Sequence, residues 1–167
     1  MKKFALLGLA VLSFSTFAQT KQAPEPAAFT KAKQMVGGVW RGKLGDKMPV
    51  EVRFKLVDNG QVVESAGVVG DPQKPVLKMR ARMGIDPITN TVFYLDEHNG
   101  TTVYFGHITL EKGSLVFDFT ALSGDKGHWI ARQSFPTPDS YESTLYTVGD
   151  DGKETAMHPL ALKRSKS

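Results

Sequence analysis

Four histidines are the side chains of this 167-residue sequence whose proton affinity is balanced near neutral pH, and there is no cysteine. An imidazole serves as a general acid or base, as a hydrogen-bond partner for a ligand's polar head, or as a nitrogen ligand to iron. Spacing sorts the four. His98 in "DEHNG" and His128 in "GDKGH" fall at turns, where an exposed histidine is ordinary. His107 is in phase with Val103 and Phe105 in "TVYFGHI", and His158 is in phase with Leu160 and Leu162 in "AMHPLAL". If the apolar residues of those strands face inward, both histidines face inward with them.

Other catalytic constellations are missing. The sequence has no G-x-S-x-G elbow, no H-E-x-x-H, no P-loop and no G-x-G-x-x-G on a strand-to-helix turn. Ser123, Asp125 and His128 share one short turn, "LSGDKGH", and cannot build the geometry of a Ser-His-Asp triad. The acidic run "GDDGKE" lacks the alternating ligands and closing Glu of a calcium loop and reads as a hairpin turn. No catalytic residue and no metal site is therefore assigned. An enzyme using a lumen histidine for acid-base work has neither a paired carboxylate nor a nucleophile behind it, and ranks last.

Whatever the histidines do, β-strands must position them. In "VEVRFKL" Val50, Val52, Phe54 and Leu56 alternate with Glu51, Arg53 and Lys55. In "LKMRARM" Leu77, Met79, Ala81 and Met83 alternate with Lys78, Arg80 and Arg82, and "LVFDFTA" repeats the rule with Leu115, Phe117, Phe119 and Ala121. One dry and one wet face is the mark of antiparallel sheets. Turn signals at "DNG", "DPITN", "HNG", "EKG", "GDKG", "PTPD" and "GDDG" separate the runs, and only "GVVGDPQKP", residues 67–75, reads as a longer loop. The pattern predicts about ten strands in meander order, which remove their edges most economically by closing into a barrel. Phe29, Ala32 and Val36 add one face of a helix over residues 27–36, stopped by Gly37.

The chain around this domain also has a pattern. Residues 1–18 carry Lys2 and Lys3, an apolar run from Phe4, and small residues at Thr16 and Ala18, the form of a secretory signal peptide too short to span a membrane. This predicts an exported, periplasmic or secreted product, an extended tether over 19–26 around Pro24 and Pro26, a single domain over 27–164 and a basic tail over 165–167. A domain of that length buries a core without disulfides. The formal charge of +4 is spread along the chain, which gives no nucleic-acid footprint.

"GGVWRGKL" places Trp40 where the first strand begins, and this resembles the Gly-x-Trp signature that opens lipocalins and their calycin relatives. In those families a basic residue near the end of the last strand covers the tryptophan. Arg164 in "HPLALKR" is in phase to do so. "GIDPITNTVFYL" and "PDSYESTLYTVGDDGKETAMHPLALKR" are similar to a bacterial family of secreted domains of unknown function with a lipocalin-like barrel. The resemblance covers roughly residues 35–164. It implies a fold and carries no established reaction.

These observations predict a monomeric barrel, closed at one end by Trp40 and Arg164, that binds a small hydrophobic or amphipathic molecule without transforming it. Its lumen is expected to be lined by Phe54, Leu77, Met79, Met83, Phe105, His107, Phe117, Phe119 and His158. Two alternatives remain. Nitrobindins, also lipocalin-like barrels, hold haem through a histidine near the C-terminal end, and His158 lies in a comparable place; no cofactor is otherwise expected. A small barrel can also fill its own interior and serve a structural or interaction role.

Overall fold

The computed structural model describes residues 23–45, 47–124 and 126–165, with the exception of the His158 side chain. The leader expected over 1–18, the first half of the tether and the end of the basic tail lie outside the described residues. Among them, no helix is long and apolar enough to cross a membrane.

Helix α1 (Ala27–Ala32) runs into a single 3-10 turn, Lys33–Met35, so the helical segment covers the predicted span less its last residue. Ten strands follow: β1 (Val39–Leu44), β2 (Met48–Val57), β3 (Val62–Asp71), β4 (Lys74–Ile85), β5 (Val92–His98), β6 (Thr102–Glu111), β7 (Ser114–Ser123), β8 (His128–Thr137), β9 (Ser140–Val148) and β10 (Glu154–Ser165). Each pairs antiparallel with the next, and β1 pairs with β10, which closes the barrel. The segment expected as a longer loop, 67–75, is instead mostly strand. Gly70, at φ 95°, sits at a register shift that lets β3 and β4 continue almost to their turn.

Polarity along the barrel axis follows from the meander. The start of β1, the end of β10 and the even-to-odd turns from β2–β3 to β8–β9 share one end, where the helix packs. The other end, the mouth, carries the finish of β5 and β9 and the start of β6, β8 and β10. Phe29, Ala32 and Met35 are buried at the helix end against Val63, Met83, Val92, Ile108, Leu115 and Phe117.

Beside this plug the two glycines before Trp40 have positive φ, 90° at Gly37 and 68° at Gly38, which turns the chain off the helix and into β1 in a conformation costly for other residues. Trp40 is fully buried, and its indole Nε1 donates to the Met35 carbonyl at 2.7 Å. The cation that the register of "HPLALKR" predicts is present. Arg164 lies directly opposite Trp40 across the β1–β10 pair, with its guanidinium 4.5 Å from the ring centroid. The same guanidinium donates to the carbonyls of Gln34, Val36 and Pro138 and sits 3.5 Å from Asp139 Oδ1. One side chain thus ties the helical segment, the β8–β9 turn and the seam.

Truncating a buried aromatic side chain costs about 3–5 kcal/mol, a large part of a small domain's stability. Trp40→Ala is expected to unfold at a much lower denaturant concentration than the parent, or to accumulate poorly. A mutant melting within a degree or two of the parent would show that the ring is not the plug.

Candidate functional site in the barrel lumen

The barrel does not fill its own interior. A cavity of about 330 Å³ runs through the lumen, within the size range of small-molecule sites. Its wall includes Val52, Phe54, Leu77, Met79, Ala81, Met83, Phe117, Phe119, Ala131 and Leu160. Six of the residues predicted to line the lumen, Phe54, Leu77, Met79, Met83, Phe117 and Phe119, therefore do so.

Phe105 and His107 do not. Both are exposed on the outer surface of β6, their rings 5.6 Å apart, while Tyr104, Gly106 and Ile108 take the inward positions. The parity expected for this strand was off by one, and that single step moves every side chain to the other face. The reason is local. Gly106 leaves a gap in the inward row that reads as polar, and a Cβ there would lie 1.9 Å from the Asp118 carbonyl oxygen, so only glycine allows β7 this close. His158 lies on β10 at a register shift between Ala156 and Pro159, which interrupts the phase with Leu160; its side chain lies outside the described residues. Met157 and Leu160 both reach the cavity. On the outer surface His128 pairs with Asp118 at 2.6 Å.

The polar site comes from β5, which the residue pattern alone did not single out. Val92, Tyr94, Asp96 and His98 alternate inward and lie opposite Ile85, Met83, Ala81 and Met79 of β4. Tyr94, Asp96 and His98 all line the cavity. The Tyr94 hydroxyl donates to Asp96 Oδ2 at 2.7 Å, and His98 Nε2 lies 3.0 Å from the same oxygen. A carboxylate only accepts, so Nε2 is the protonated nitrogen in this contact and Nδ1 of a neutral imidazole is left as an acceptor. Asp96 is buried, and its second oxygen, Oδ1, has no hydrogen-bond partner. Deeper in the lumen, Oε1 of Gln133, opposite Ser143 across the β8–β9 pair, is also buried without a partner.

Aromatic rings surround the Asp96 end. Tyr104 stands edge-on to His98 at 4.8 Å, to Trp129 at 5.3 Å and to Phe119 at 5.8 Å, and Phe119 stacks on Trp129 at 6.0 Å. Tyr94 meets Phe119 at 5.4 Å. Burial, and then the charge and hydrogen bond of Asp96, push the Tyr94 phenol well above the ordinary tyrosine range. Burial alone raises Tyr141. Both hydroxyls are thus held protonated. Among the described residues no three His, Asp or Glu side chains are grouped to hold a metal ion.

No family model matches the chain, and no curated protein matches it. Among solved structures, Rv2717c from M. tuberculosis is similar over 86% of this chain and 100% of its own, with a TM-score of 0.56 at 11% identity. At that identity the likeness is one of fold: an all-β closed barrel.

The raised tyrosines give a testable pH dependence. An unfolded tyrosine ionises near pH 10 while these two stay neutral in the fold, so their contribution is complete below about pH 10 and lost as pH rises beyond it. Tyr94 and Tyr141 are expected to give tyrosinate absorbance only with unfolding, and Tyr94→Phe to remove one such delayed signal from the four tyrosines. Four signals appearing while the fold is intact would contradict this placement.

Proposed function

We propose that this chain is an exported barrel protein that holds a small hydrophobic or amphipathic molecule in its lumen and does not transform it. The observation that carries the reading is the cavity of about 330 Å³, walled by aliphatic, methionine and aromatic side chains with its polar groups gathered in few places. Ligand sites in proteins have this composition, apolar surface for affinity and a few fixed polar atoms for orientation. Met79 and Met83 supply flexible thioethers that adapt to a ligand's outline. Export rests on the form of residues 1–18. The family resemblance noted in the sequence is consistent with both and adds no reaction.

Trp129 lies in the cavity wall and reports directly on occupancy. Titration with prodan, an uncharged polarity-sensitive dye, is expected to saturate at one molecule per barrel with a shift in Trp129 emission. Ala131→Phe, which projects a ring into the cavity, is expected to weaken that binding at least about tenfold while the protein still melts cooperatively, since overpacking costs about 1–3 kcal/mol. Prodan binding unchanged by the added ring would place the dye outside the lumen and overturn the reading. Hemin tests the other occupant: a sharp Soret band abolished by His158→Ala would replace an apolar ligand with haem, and no such band is expected.

A further inference from the structure

The buried polar atoms of the lumen that lack a partner are acceptors. Asp96 is buried in the wall with Oδ1 unpartnered, while its Oδ2 already accepts from Tyr94 and His98. Gln133 Oε1 is a second buried acceptor without a donor. Among the described residues that line the cavity there is no lysine and no arginine. Asp96 is the one carboxylate among those lining residues. A buried acceptor without a donor is costly, and a buried carboxylate more so, and both costs are relieved by a ligand that donates.

Position narrows the class further. Asp96 and His98 are near the end of β5, at the mouth, whereas Phe54, Met83 and Phe117 lie toward the helix end. A molecule entering tail-first leaves its head beside Asp96. The rings of Tyr104, Trp129 and Phe119 gather at the same end, mutually edge-on or stacked within 6.0 Å. Aromatic rings gathered at the same end of a cavity as a carboxylate favour an organic cation, whose charge is met by the carboxylate and by the aromatic quadrupoles together. A carboxylate or phosphate head would be placed against Asp96 with no lysine or arginine among the described lining residues to offset the repulsion.

We propose that the lumen selects amphipathic amines: an apolar tail in the Met83–Phe117 region and a protonated amino head donating to Asp96 Oδ1 among the Tyr104, Phe119 and Trp129 rings. This rests on the lumen being a ligand site. It adds the sign and hydrogen-bonding sense of the head group.

Octylamine, octanol and octanoate share one tail and differ in head, and near neutral pH they carry positive, zero and negative charge. Calorimetric titration of the parent protein is expected to rank them in that order, with octylamine at least about tenfold tighter than octanoate. Asp96→Asn keeps the side-chain shape and removes the charge; it is expected to weaken octylamine about tenfold and leave octanoate no weaker. Trp129→Leu, which takes away a ring face and no charge, is expected to narrow the preference for octylamine over octanol. Octanoate binding as tightly as octylamine would overturn the amine proposal while leaving the lumen as a ligand site. An octylamine preference undiminished in folded Asp96→Asn would also overturn it. Failure of all three probes and of prodan would remove the ligand site and this proposal together.

Discussion

The structure depends on the contact between the two ends of the domain. Strand β1 follows the helix, β10 is the last of the described strands, and the meander is a barrel only because these two pair. Trp40 and Arg164 face each other at that seam, and the guanidinium also donates to the carbonyls of Gln34, Val36 and Pro138. A planar cation with five donors can lie over a ring and bond at its edges simultaneously, which a lysine cannot do. The helical segment is therefore held by two independent means. Its apolar residues pack on the barrel floor, and its terminal carbonyls are bonded by the Trp40 indole and the Arg164 fork.

Once the seam is closed, the lumen follows from strand parity. The register of β4 against β5 sets Met79, Ala81 and Met83 opposite His98, Asp96 and Tyr94, so a row of thioether and methyl groups continues into a row of polar ones. The barrel then joins a dry wall and a hydrogen-bonded triplet within one cavity. That triplet is asymmetric: Oδ2 of Asp96 is satisfied twice, by Tyr94 and His98, and Oδ1 is not satisfied at all. Buried acceptors of this kind carry the chemical identity of the site more than its apolar lining does.

Strands with charged residues on one face were legible in the sequence. "VEVRFKL" and "LKMRARM" announce their inward residues because lysine, arginine and glutamate do not enter a small barrel unpaired, and Trp40 and Arg164 could be placed from their phase at the two ends. Strands without that contrast misled. In "TVYFGHITL" both faces carry large apolar side chains, and Gly106 hides the inward row, so the pattern points Phe105 and His107 inward where the strand turns them outward. In "VFYLDEH" the inward face is the more polar one, Tyr94, Asp96 and His98, while Phe93 and Leu95 lie on the other. A signal did exist. The "DPITN" turn sets Ala81 opposite Asp96 and the short "HNG" turn sets Asp96 opposite Tyr104, so carrying parity from β4 across the two turns would have assigned both strands.

The seam has a kinetic side. Nine of the ten ladders join neighbours in sequence and can zip up as local hairpins, but the tenth brings residues 39–44 against 160–165. Closing so long a loop is entropically the most demanding step, and contacts of this separation slow folding. A nascent chain emerging from the ribosome can form the meander as an open, curling sheet, yet it has no counterpart for Trp40 until the final strand is made. The fold thus acquires its lock last, and any handling of the newly made chain takes place while both sheet edges are still unpaired.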